Sequence, residues 1–236
     1  MITINTYGEL KEKQVFLLDM DGTFYLGDRL LPGSLEFIEI LKEKGKEYLF
    51  FTNNSSKNVS AYVDKLMKMN CPVEERHIIT SGMVTAGYLS RVYPDAGVYL
   101  MGTPLLAEEM AASGIRLVES DPDVVVIGFD TTLTYDRLAK ACDFIREGAP
   151  FVATHPDINC PTETGFIPDC GAICAAITLS TGAKPTVLGK PEEETVRFIL
   201  ERTGREKGDL LYIGDRLYTD IALGRHGITT ALVLSG

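Results

Sequence analysis

Two carboxylates stand one residue apart in VFLLDMDGTFYLG, where an apolar run ends at Asp19 and Asp21 and is followed by Gly22 and Thr23. Acids so close at the end of a buried strand are costly unless something positive is shared between them, so the pair asks for a cation or a proton. A capping turn would explain a lone Asp-x-Asp, but the apolar strand before it weakens that reading. A second apolar run, YLFFTNNSS, ends in Thr52, Asn53 and Asn54, whose hydroxyl and successive backbone amides suit phosphate oxygens. Taken alone, a helix cap explains that segment equally well. In VLGKPEEE, Lys190 comes just before a helix start built from Pro191 and three glutamates, a poor place for a cation in the helix dipole. A solvated lysine paired with Glu193 or Glu194 is as good a reading of it as a phosphate-binding one. Finally, LLYIGDRLYTD delivers Asp215 after a strand and Gly214, with Asp220 following, which suits a hard cation that keeps several waters, or a plain N-cap at Asp220.

No one of these signals is decisive. Four strands that each deliver polar groups of complementary kinds at their carboxyl ends are nevertheless hard to explain as four independent caps. Carboxylates offer a nucleophile, an acid/base and cation ligands, while Thr52 and Lys190 offer donors to a charged group. That combination is the chemistry of phosphoryl transfer.

The elements that must position these residues read as α/β. Short β-branched and aromatic runs alternate with helical patterns, the mark of a parallel sheet covered by helices. The sequence predicts strands at Val15–Leu18, Tyr48–Phe51, Val124–Ile127, Phe151–Ala153, Leu210–Ile213 and Thr230–Leu234, each short enough to be buried on both faces. Helical periodicity runs from a cap at Ser34 to a stop at Gly45, and over Val59–Met69, Leu133–Arg146 and Glu192–Arg202. Because the chemistry-bearing residues lie before position 55 and after position 189, the middle reads as a domain inserted into an outer one. The joins fall near Ser81–Val84 and Ala183–Pro185.

With 236 residues, 45% of them hydrophobic, the chain can bury a sizeable core. Its 33 acidic against 23 basic residues give a formal charge of −10, which repels a phosphate backbone and argues against nucleic acid as a partner. Apolar runs such as Val124–Ile127 fall far short of the roughly 20 residues of a membrane span. The opening MITINTYGELKEK has no apolar signal region. A soluble cytoplasmic protein is the expectation. Five scattered cysteines point to reduced thiols, and the pair Cys170 and Cys174 lacks a second pair or histidine cluster to complete a metal site.

The order Asp-x-Asp-Gly-Thr, Thr-Asn-Asn, Gly-Lys-Pro and Gly-Asp-(x)4-Asp resembles the four motifs of the haloacid dehalogenase superfamily of hydrolases. The insertion and the stretch ATHPDINCPTETGFIPDCGAICAAI are similar to its 4-nitrophenylphosphatase-like, NagD-type subfamily with a type IIA cap. The resemblance covers nearly the whole chain. It implies a doubly wound, Rossmann-like parallel-sheet core of residues 1–83 and 185–236, with an inserted α/β cap of residues 84–184 that selects substrate. It also implies a Mg2+-dependent phosphomonoesterase acting on small phosphorylated metabolites through an aspartyl-phosphate on Asp19. Asp21 would be the general acid and base, and Thr52, Asn53 and Lys190 would bind the phosphoryl group. Mg2+ would be held by the Asp19 side chain, the Asp21 backbone carbonyl and Asp215. Gly22, Asn54 and Asp220 would support, with Asp220 orienting a metal-bound water or Lys190. In this subfamily the loop carrying His155 and Asp157 faces the active site, which makes both candidates for recognising the leaving group.

Caps of this type often carry a dimer contact in the family, so the resemblance makes a homodimer through the cap an expectation, and the family pattern continues past the strand that ends LVLSG. A dehalogenase has no need of the second acid, so Asp21 favours phosphoester chemistry. A receiver-like signalling module also combines acids, a threonine and a lysine on a doubly wound sheet, but places its phosphoacceptor alone on a later strand. A phosphotransferase or phosphomutase would share the core. Sugar phosphates, nucleoside monophosphates, pyridoxal phosphate and glycolytic phosphates all stay open as substrates.

Overall fold

The computed structural model describes residues 7–162 and 164–235. Part of the amino-terminal stretch read above and Gly236 lie outside the described residues. The chain divides into two compact units. The first comprises Met1–Phe51, Val63–Ile78 and Val196–Gly236, the second Thr52–Tyr62 and Ile79–Thr195.

The first unit is organised on a five-stranded sheet of order Thr229–Leu232, Leu210–Gly214, Val15–Asp19, Glu47–Thr52, Ile78–Thr80. Val15–Asp19 is buried along its whole length and runs parallel to a strand on either side. Its uninterrupted apolar run is what burial on both faces demands. The register sets Leu18 opposite Ile213 and Asp19 opposite Phe51, so Asp19 ends its strand and Asp215 directly follows its own at the carboxyl edge of the parallel sheet. That edge is where ligands gather in open α/β sheets.

The local elements follow the sequence with instructive departures. Helix Ser34–Glu43 ends at Gly45 (φ 64°) as expected. Ser34 is not its cap, however, because Gly33 takes that place in the left-handed region, and the Ser34 hydroxyl instead donates to Phe24 O at 2.8 Å. The last strand covers Thr229–Leu232 and stops short of the expected Leu234, which is exposed. After Asp220 the chain forms a 3-10 helix, Ile221–His226, with no side-chain cap hydrogen bond from Asp220.

The second unit holds another five-stranded parallel sheet, ordered Thr186–Val187, Phe151–Ala153, Val124–Ile127, Gly97–Met101, Arg116–Leu117. Alternate residues of its strands feed two cores. Tyr99, Val125 and Ile127 pack with Ile173 and Ile177 on one side, and Val98, Val124 and Val126 with Leu89 and Leu106 on the other. Period-two alternation with apolar groups on both faces is the pattern of a sheet covered by helices twice over. Ser81–Val84, read as a join, is the first turn of helix Ser81–Val92, capped by the Thr80 hydroxyl, which accepts from Met83 N at 3.0 Å. The stretch Asn159–Thr162 pairs antiparallel with Gly165–Pro168 in an exposed hairpin. Among the described residues no helix is long and apolar enough to cross a membrane.

One buried acid links three segments of this unit. Glu109, in helix Pro104–Ala112, accepts from the Thr80 hydroxyl at 2.7 Å and from Val59 N at 3.2 Å. Burial pushes its carboxyl from 4.5 up to about 7, against the pull of those two donors. A folded-state pKa above the unfolded one means that the native protein holds the extra proton between those values. Stability from this group is therefore present at low pH and lost as pH rises through the window. Glu109→Gln removes the titration. Its melting temperature relative to wild type is expected to rise by a few degrees between about pH 5 and pH 8. A difference that stays constant over that range would contradict the assignment.

Candidate active site

Strand Val15–Asp19 delivers Asp19 at the sheet edge with only 8% of its surface exposed, whereas Asp21 is exposed. The reversal between them and the next segment is made by Gly22 at φ 89°, a conformation that resists a side chain. Gly22 N donates to Tyr25 O at 2.8 Å, and Phe24 N and Tyr25 N both donate to Met20 O at 2.9 and 3.1 Å. The turn is thus closed by backbone hydrogen bonds.

Strand Leu210–Gly214 brings the other acids. Carboxylate oxygens of Asp19, Asp215 and Asp220 lie within 4.8 Å of one another. Asp215 is half-buried and accepts from the Thr23 hydroxyl at 3.1 Å. Asp220 is fully buried and accepts from Arg216 N at 3.1 Å. Gly214 makes room for it, since a Cβ there would stand 2.4 Å from the Asp220 carboxylate. Three carboxylates gathered so closely, two of them buried, repel one another unless a cation sits among them. Hard oxygen donors of this number fit Mg2+, which keeps waters for the rest of its shell.

In the second unit, Thr52 closes its strand, and its hydroxyl accepts from Asn54 N at 3.2 Å. Asn54 turns back on the loop, its Oδ1 accepting from Ser56 N at 2.9 Å and from the Ser56 hydroxyl at 2.6 Å. Asn53 is tied to Lys190 twice: Lys190 N donates to Asn53 Oδ1 at 2.8 Å, and Asn53 Nδ2 donates to Lys190 O at 3.0 Å. Asn53 Nδ2 also donates to Asp157 Oδ2 at 3.2 Å, and Asn53 O accepts from the Ser81 hydroxyl at 2.5 Å.

Residues 16–116 match the family described as haloacid dehalogenase-like hydrolase, and residues 187–236 match one described as HAD-hydrolase-like. A 5'-nucleotidase, YutF, of Bacillus subtilis is 36% identical over 228 residues, 96% of this chain and 89% of that protein. The chain belongs to the haloacid dehalogenase-like hydrolases. An acid sugar phosphatase of Staphylococcus aureus is 37% identical to this hydrolase over 96% of the chain and 88% of its own length. Among solved structures, the 4-nitrophenylphosphatase of Thermotoga maritima superposes with TM-score 0.94 at 50% identity, covering 97% of this chain and 88% of that one. NagD from E. coli K-12 superposes with TM-score 0.88 at 32% identity, covering 95% and 88%. These place the hydrolase in the NagD and 4-nitrophenylphosphatase branch.

The candidate residues of this hydrolase are distributed over both units, with Asp19, Asp21, Asp215 and Asp220 in the first and Thr52, Asn53, Lys190, His155 and Asp157 in the second. Asp220, expected in a supporting role, stands with Asp19 and Asp215 as a third carboxylate, while the Asp21 side chain is not part of that group. Lys190 is not a solvated surface cation, being 2% exposed. Both hydrogens of the Asn53 side-chain amide are directed to protein acceptors, so that side chain braces Lys190. His155 is fully buried. Its Nδ1 is 2.9 Å from the Thr154 hydroxyl and its Nε2 2.9 Å from Asp169 Oδ1. Burial opposes its charge, but the neighbouring Cys170, Asp169 and Asp157 outweigh this and raise its pKa to about 9. Sequence reasoning missed Ser81 and Asp169. The local signal for Asp169 was its place before helix Cys170–Thr181, which it caps by accepting from Cys170 N at 2.6 Å.

Proposed function

We propose that this phosphatase hydrolyses monoesters of small phosphorylated metabolites through a covalent phosphoaspartate on Asp19. The observation that carries the reading is the contrast at one strand end: Asp19 is buried with Asp215 and Asp220 close by, and Asp21 is exposed. Two carboxylates with opposite surroundings take opposite roles. An Asp19 oxygen attacks phosphorus as the P–O bond to the alcohol breaks, and the Asp21 carboxyl gives its proton to the departing oxygen. Asp21, now ionised, then takes a proton from a water whose oxygen attacks phosphorus. That breaks the bond to Asp19, frees inorganic phosphate and leaves Asp21 protonated again. Thr52 and Lys190 are assigned the phosphoryl oxygens, where a hydroxyl and an ammonium lower the cost of developing charge.

Asp19, Asp215 and Asp220, with the Asp21 backbone carbonyl, would hold Mg2+. Bound Mg2+ supplies charge neutralisation that lets a phosphate dianion approach these acids. Residues 84–184 act as the substrate-selecting cap on a core of residues 1–83 and 185–236. Sugar phosphates, nucleoside monophosphates and aryl phosphates, the chemistries in the relatives' names, are the first substrates to try. Five free cysteines suit a reducing compartment such as the cytoplasm. A panel of these esters with Mg2+, read by released phosphate, tests the proposal. Turnover of at least one is the expected result, and folded protein inert towards all of them would reject it.

A further inference from the structure

We infer that Asp157 is a positioning residue for Lys190, acting through Asn53, and that a buried His155–Asp169 pair holds Asp157 in place; the inference rests on the reading of Lys190 as a phosphoryl donor. His155 and Asp169 stand at the two ends of the loop that contains Asp157 and the hairpin Asn159–Thr162 with Gly165–Pro168. Their side chains close its neck at 2.9 Å. Backbone bonds reinforce the closure, from Asp169 N to Ile158 O at 2.9 Å and from Gly171 N to Asp157 O at 2.8 Å. His155 and Asp169 at the neck are buried, while Phe166 on a hairpin strand is 75% accessible. Asp157 is thus fixed at the root of the loop.

From this root the Asp157 carboxylate accepts from Asn53 Nδ2 at 3.2 Å. The bond decides which way the Asn53 amide points, because only its NH2 end can donate to a carboxylate. Oδ1 is then turned to Lys190 N and the remaining hydrogen to Lys190 O. A flipped amide would set donor against donor at Lys190 N and acceptor against acceptor at Lys190 O. Packing leaves little slack: a Cβ on Gly189 would come within 2.8 Å of the His155 Cβ and within 2.9 Å of Asn53 Oδ1. The main chain that carries the Lys190 ammonium is consequently set by Asp157.

The ammonium acts on the transferred phosphoryl group, not on the alcohol. Losing Asp157 should therefore slow every ester alike, unlike a residue that touches the leaving group. With full-length protein and Mg2+, Asp157→Ala is expected to lower kcat by about 10- to 100-fold for 4-nitrophenyl phosphate and a sugar phosphate in the same proportion. Inhibition by inorganic phosphate should weaken by about tenfold. Asp157→Asn, whose carbonyl oxygen still accepts from Asn53, should recover kcat to within about threefold of wild type. A purely structural role would instead lower the melting temperature and leave kcat intact at a temperature where the protein is folded. That result overturns the inference, as does a loss confined to one ester or an asparagine variant no better than alanine. Should the alanine protein not fold, Asp157→Ser, whose shorter side chain also leaves Asn53 without this acceptor, takes its place with the same outcomes. Wild-type protein inactive on both esters would overturn the phosphatase reading and this inference with it, whereas active wild type beside an unimpaired Asp157→Ala overturns the inference alone.

Discussion

Asp19→Asn is expected to leave a folded protein whose turnover falls by at least about three orders of magnitude. Asparagine matches aspartate in shape, so the buried strand end and its neighbours in register, Leu18 with Phe50 and Ile213, should be undisturbed. What is lost is chemical, since an amide oxygen is a poor nucleophile towards phosphorus and carries no charge to share with a cation. The far-ultraviolet circular dichroism should match wild type while phosphate release falls to background. A variant that kept more than about a tenth of the wild-type kcat would show that Asp19 is not the nucleophile.

Withdrawal of the divalent cation should cost about as much. Asp19, Asp215 and Asp220 place carboxylate oxygens within 4.8 Å of one another, and a phosphate dianion brought to Asp19 would add to that repulsion. Dialysis against excess chelator is expected to reduce turnover roughly a thousandfold or more, and added Mg2+ to restore it. Ca2+ should bind without supporting turnover, because its longer and looser coordination misplaces the phosphoryl group. Cation binding to the native state should also raise the melting temperature in a concentration-dependent way, a readout independent of activity. Full activity in excess chelator would reject the metal assignment.

The sequence made the chemistry of the strand ends legible because burial on both faces forces runs such as residues 15–18 of strand Val15–Asp19, and strands Val124–Ile127 and Phe151–Ala153, to be continuously apolar. Charged residues directly after such runs stand out. The hairpin Asn159–Thr162 with Gly165–Pro168 was invisible because its residues are largely exposed and include prolines, so no alternation marks it. Helices Ser81–Val92 and Pro104–Ala112 went unread for the opposite reason: apolar residues recur around much of each helix and blur the stripe. The brace from Asp157 through Asn53 to Lys190 joins groups 104 and 137 residues apart, and no local pattern encodes such pairings. The burial of Lys190 was hidden likewise, since a lysine beside three glutamates reads from sequence as well as a solvated cation as it does as a phosphate ligand.

The covalent intermediate can be sought directly in Asp21→Asn protein. With 4-nitrophenyl phosphate the leaving group departs without needing a proton, so Asp19 can still be phosphorylated, but no base remains to activate water. The phosphoenzyme should accumulate. Rapid acid quenching, digestion and mass spectrometry should then find one phosphoryl group on the peptide that spans Val15–Tyr25, localised to Asp19 and released by hydroxylamine as an acyl phosphate. A burst of nitrophenol with no phosphoryl group on that peptide, or with the group on any other residue, would contradict covalent catalysis by Asp19.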